Sequence, residues 1–151
     1  MNLITPLLTL ANIQSECETS SKKRLFEQAA QLVQASQGVP AGEVFESLFS
    51  REKLGSTALG YGIAIPHGRI KHLNETACAF LRLITPIDFD APDGEPVDLV
   101  FVLLAPATAT DVHLQILGEL AAMFSDETFR AQLRAAPDAA TLHRLITEWT
   151  P

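Results

Sequence analysis

The chain is poor in the features that announce many classes of protein. Among its 151 residues two are cysteine, one is tryptophan and one is tyrosine. Cys17 and Cys78 stand far apart with no CxxC spacing, which excludes a disulfide framework and points to buried thiols in a reducing compartment. Long apolar runs are also missing. The stretch from Leu99 to Ala105 is far short of the ~18 residues that cross a bilayer, so no membrane insertion is expected. Basic residues are scarce, 11 against 18 acidic for a net charge of −7, which argues against nucleic acid as a partner. The opening Met1-Asn2-Leu3-Ile4-Thr5-Pro6 has neither a basic n-region nor a long apolar h-region, so the expectation is a cytoplasmic protein without a secretory signal.

What is present suffices for one domain spanning 1–151. Apolar residues make up 47% and charged residues 19%, enough to bury a core without disulfides or metals. Ser20 or Ser21 can cap a helix starting at Lys22, with Leu25, Phe26, Ala29, Leu32 and Val33 on one face; Gly38-Val39-Pro40 ends it. Pro40 then opens a second helix to about Lys53 through Val44, Phe45, Leu48 and Phe49. Thr76 to Leu83 and Val97 to Leu104 read as strands, the second apolar enough to be covered on both faces. Pro86 to Asp90 and Pro92-Asp93-Gly94 supply turns around a short edge strand. Beyond Pro106 a helix from Thr110 or Asp111 to Phe124 carries Leu114, Leu117, Leu120, Ala121 and Phe124 on its predicted buried stripe. Asp126 and Asp138 cap two further helices, to Leu133 and Trp149. Leu3 to Ile13 shows no clear period. The pattern is that of a layered α/β domain with a mixed sheet.

Gly55 to Gly68 reads differently, with four glycines in 14 residues, as in a loop that turns sharply and approaches something closely. It lies in a basic island: Arg51, Lys53, Arg69 and Lys71 face one acid, Glu52, on an otherwise acidic chain. Such an island attracts an anion or an acidic surface.

Of four histidines, His72 beside Lys71 and His143 beside Arg144 read as surface residues. His67 follows Ile63-Ala64-Ile65 and the rigid Pro66 and precedes the permissive Gly68, which presents an imidazole at a strand end. His113 shares a helical face with Leu117, Leu120 and Phe124. Two roles fit it: a hydrogen-bonded core histidine, or a first-turn donor in an anion pocket with His67. An unprotonated His67 nitrogen can attack phosphorus and form a phosphohistidine. Such transfer needs in-line positioning and compensation of charge on the equatorial oxygens. Arg51 offers a guanidinium fork, Ser56 and Thr57 hydroxyl and backbone donors, and His113 a ring N–H.

Other chemistries fit worse. A zinc site lacks ligands at short spacing, the Walker pattern has Tyr61 where lysine belongs, the dinucleotide fingerprint lacks its third glycine, and no GxSxG elbow occurs. No cofactor and no metal are expected.

The run Ser50-Arg51-Glu52-Lys53-Leu54-Gly55-Ser56-Thr57-Ala58-Leu59-Gly60-Tyr61-Gly62-Ile63-Ala64-Ile65-Pro66-His67-Gly68-Arg69 closely resembles the active-site signature of the type-2 enzyme IIA domains of the bacterial phosphoenolpyruvate-dependent phosphotransferase system, the mannitol and fructose class. Pro96 to Pro106 followed by His113-Leu114 resembles the family's second block. Ala58 departs from the glycine that many relatives carry. Within the family the chain looks like the nitrogen-regulatory branch, from its opening Ile13-Gln14-Ser15-Glu16-Cys17 and the absence of a fused permease or carrier domain. The resemblance implies a mixed sheet with helices on both faces. It implies that His67 is phosphorylated, that His113 neighbours it, and that Arg51, Ser56, Thr57 and Gly68 surround the phosphoryl group. It further implies an HPr-type phosphocarrier as donor, with potassium-transport regulators or sensor kinases as regulatory targets. The alternative is a sugar-specific IIA that passes the phosphoryl group to a IIB domain.

Overall fold

The computed structural model describes residues 2–108 and 110–151; Met1 and Ala109 lie outside the described residues. A single 3-10 turn at Leu10–Asn12 leads into β1 (Ile13–Cys17), followed by α1 (Lys22–Gln37) and α2 (Ala41–Glu52). Three short strands come next: β2 (Ala58–Gly60), β3 (Ile63–Ala64) and β4 (His67–Ile70). The long strands β5 (Ala77–Ile87) and β6 (Val97–Pro106) precede α3 (Thr110–Ser125), α4 (Glu127–Ala135) and α5 (Ala139–Glu148).

Helix ends follow their capping residues. The side chains of Ser21, Asp126 and Asp138 accept from the backbone N–H three residues on, and Gly38 stops α1 in the left-handed conformation at φ 74°. Pro40 sits at the start of α2, where its missing N–H costs nothing.

The sheet is mixed, in the order β1-β5-β6-β3-β2. β5 and β6 pair antiparallel, β1 runs parallel to β5, and β3 and β4 lie in succession parallel to β6 along its other edge. Alternate residues of the two long strands point to opposite faces. Ala79, Leu81, Val100 and Val102 pack with α1 and α2. Cys78, Phe80, Leu99, Phe101 and Leu103 pack on the other face with α3, α4, α5 and the N-terminal segment. The two cysteines are free and buried, and burial pushes the Cys78 thiol up to about 12.

Four expectations need correction. The Gly-rich stretch is not one loop but holds β2, β3 and the start of β4, strands too short to leave a periodic trace. Ile13–Cys17, for which no element was expected, is an edge strand. No edge strand separates β5 from β6 among the described residues; β5 itself runs on through Pro86 to Ile87, across a register shift that accommodates the proline. The buried stripe of α3 keeps His113, Leu120 and Phe124 where they were expected but takes in Ile116 and Met123 in place of Leu114 and Ala121, which are exposed.

Candidate active site

His67 opens β4 opposite Leu103 of β6. The preceding Pro66 has no N–H to give, so the ladder along β6 is broken between β3 and β4, and only the Pro66 carbonyl bonds, accepting from Leu103 N at 3.0 Å. The half-buried His67 ring turns back on its own strand: Nδ1 lies 2.8 Å from the Ile65 carbonyl oxygen. A carbonyl oxygen only accepts, so Nδ1 carries the proton and Nε2 keeps its lone pair. Burial holds the ring's pKa below the ordinary 6.5, and the Arg51 guanidinium pushes the same way against the opposing pull of the Ile65 bond and the Glu52 carboxylate. At neutral pH the ring is therefore uncharged and nucleophilic.

α3 brings His113 to the same place. The two ring centroids are 5.9 Å apart with planes inclined at 50°. His113 is 4% exposed, and its buried Nδ1 has no hydrogen-bond partner among the described residues. Burial lowers its pKa as well, helped by the neighbouring His67 and Arg69.

α2 supplies Arg51 from the opposite face of the sheet. Its approach depends on Gly68. Ser47 of α2 donates to the Arg69 carbonyl at 2.9 Å, and a Cβ on Gly68 would run into that serine hydroxyl. Gly68 thus acts through backbone proximity, letting the helix lie on β4. Arg51 Nη1 donates to the Gly55 carbonyl at 2.8 Å.

His67 and Arg51 sit between two depressions. The larger, an open cleft of about 810 Å³, is lined also by Arg69, Lys71, His72 and His113. The smaller, about 340 Å³, is lined also by Ser56, Thr57, Ile65 and Gly118. Exposed Leu54 and Leu114 rim the cleft. Among the described residues no three His, Cys, Asp or Glu side chains gather as a metal site.

Ser56 and Thr57 stand near His67, but their hydroxyls are engaged within the protein. Ser56 Oγ donates to the Phe89 carbonyl at 2.6 Å. Thr57 donates to Glu52 twice, from Oγ1 at 2.6 Å and from the backbone N–H at 3.0 Å. Glu52 is the residue that sequence reasoning passed over. A lone acid within a basic stretch was the available signal, because such an acid tends to be paired and buried. His143 is also more than a surface residue: it is half-buried, with Nε2 2.9 Å from the Leu8 carbonyl, tying α5 to the N-terminal segment.

Residues 6–149 match the family described as phosphoenolpyruvate-dependent sugar phosphotransferase system, EIIA 2. The nitrogen regulatory protein of Pseudomonas aeruginosa is 45% identical over 149 residues, covering 97% of this chain and 93% of that protein. That of Escherichia coli is 43% identical over 136 residues, covering 89% and 83% respectively. The crystal structure of nitrogen regulatory protein IIA-Ntr from Neisseria meningitidis superposes with a TM-score of 0.92 at 45% identity, over 97% of this chain and all of that one. With its mixed sheet and these relatives, the chain belongs to the type-2 enzyme IIA family of the phosphotransferase system, on the side of its nitrogen-regulatory members.

Proposed function

We propose that the chain is a phosphohistidine carrier of the nitrogen-regulatory phosphotransferase system. It takes a phosphoryl group on His67 Nε2 from an HPr-type phosphocarrier in the cytoplasm. Regulatory partners, of the potassium-transport regulator or sensor-kinase kind, then read its phosphorylation state. The observation that carries this reading is the His67 Nδ1 bond to Ile65 O, which leaves Nε2 as the free nucleophile beside Arg51 and His113.

In the transfer step the donor's N–P bond breaks as the Nε2–P bond forms. The bonding electron pair returns to the donor ring, and the proton on His67 Nδ1 stays against the Ile65 carbonyl, which steadies the charge that builds on the imidazole. Arg51 meets charge on the phosphoryl oxygens with its guanidinium. His113 closes the other side with a buried ring. The added charge of about −1.5 to −2 changes which surface docks at the cleft, where Arg51, Arg69 and Lys71 stand with Glu43 and Glu46. The similarity to nitrogen regulatory proteins favours this output over delivery to a IIB domain.

Incubation with phosphoenolpyruvate, enzyme I and the HPr-type carrier tests the assignment. Wild type gains one acid-labile, base-stable phosphoryl group by mass; His67→Ala gains none. Phosphorylation of the folded alanine variant would falsify the site.

A further inference from the structure

Glu52 ends α2 next to Arg51, and the two side chains go separate ways. Arg51 lines both depressions around His67, whereas the Glu52 carboxylate is turned inward and its side chain is 5% exposed. A carboxylate taken that far out of water needs donors at both oxygens. It has three: Thr57 Oγ1 on Oε1, and Thr57 N–H with Lys22 Nζ (3.1 Å) on Oε2. Lys22 is itself held 4.7 Å over the buried Phe89 ring, and the Phe89 carbonyl accepts from Ser56. The segment from Lys53 to Thr57 is therefore pinned at its far end by this carboxylate. Nearer the helix it is closed by Leu54 N–H to Arg51 O and Gly55 N–H to Glu52 O, both at 3.1 Å. The Gly55 carbonyl in the middle of that segment is what the Arg51 guanidinium bonds to.

We infer that Glu52 is a positioning residue for phosphoryl transfer: by clamping Thr57 it fixes the Lys53–Thr57 segment, and through the Gly55 carbonyl it aims Arg51 at the phosphoryl oxygens beside His67. The inference rests on the reading of His67 as phosphoryl acceptor. A displacement of about 1 Å in such a group costs up to about a hundredfold in rate. The carboxylate touches neither phosphoryl group nor donor, so its loss alters the maximal rate and not donor affinity.

Single-turnover transfer from the phosphorylated HPr-type carrier, followed across donor concentration, tests this in folded Glu52→Gln, Thr57→Val and Thr57→Ser. Maximal rate is expected to fall about tenfold in the first two, with half-saturation unchanged, and to return to near wild type in Thr57→Ser, which keeps the hydroxyl. Adding Glu52→Gln to Arg51→Ala should cost little further at a pH where His67 is neutral in both, because there the clamp acts through the guanidinium and not through the carboxylate's direct pull on the ring. Wild-type rates in both folded Glu52→Gln and Thr57→Val, or a Glu52→Gln loss that persists in full beside Arg51→Ala, overturn the clamp. If Glu52→Gln does not fold, the Thr57 pair alone decides. A wild-type chain that accepts no phosphoryl group overturns the reading of His67 and the clamp together; acceptance by wild type with an indifferent Glu52 overturns only the clamp.

Discussion

The two faces of the sheet meet at His67 but contribute unlike halves to the site. On the face of α1 and α2, four polar side chains around the histidine are tied down: Arg51 to Gly55, Thr57 to Glu52, Glu52 to Lys22, Ser56 to Phe89. On the face of α3, whose core holds the stacked and tilted rings of Phe80, Phe101, Phe124 and Phe129, His113 has a buried nitrogen with no partner among the described residues. Its neighbours Val112 and Leu114 are exposed. One half is a preset cationic frame. The other keeps a buried, unpaired polar atom in a ring 5.9 Å from that of His67, and a saturated half and an unsaturated half respond differently to the same kind of mutation.

The contrast is broken most directly by rate. Arg51→Ala should slow single-turnover transfer about a hundredfold or more, since it removes a permanent charge from a prealigned donor, while His113→Ala should cost about tenfold. Equal losses would mean that the two halves contribute alike. Stability sharpens the same comparison with the opposite emphasis. Thr57→Val should cost about 1–2 kcal/mol in urea unfolding, because it leaves a buried carboxylate short of a donor. His113→Leu should stay within about 1 kcal/mol of wild type, because the atom it removes is already unpaired.

The smallest effect is expected from pH. Both rings have pKa values below the 6.5 of an ordinary histidine, so the unfolded chain takes up protons first as the solution is acidified. Stability therefore falls as pH drops below 6.5 and keeps falling until the folded-state values are reached. On the proposed reading, phosphoryl acceptance needs a neutral His67 and should hold to lower pH than an ordinary histidine would allow. Urea midpoints from pH 7.5 to 5 should decline less in His67→Ala/His113→Leu than in wild type. Parallel declines would remove the histidines as the cause.

Much of this was legible in the sequence where local chemistry decides the outcome. Ser21, Gly38, Pro40, Asp126 and Asp138 mark helix ends by their own hydrogen-bonding and backbone preferences, and the apolar run of β6 declares a strand covered on both faces. His67 and His113 were picked out by their settings, and their rings do come together. What stayed hidden depends on distant partners. β3 has two residues and exists because β6 offers it an edge. Glu52 is buried because Lys22 comes from 30 residues away to neutralise it. Leu114 is exposed at the rim of the cleft, although it directly follows the buried His113.

Gly68 has one more implication. Where it meets Ser47, a clearance of a single atom sets how near the helix that carries Arg51 can come to the His67 ring. Position 68 is in that sense a spacer. Its chemistry counts for less than its size, and any enlargement there would be felt as a guanidinium out of range while the imidazole itself stayed in place.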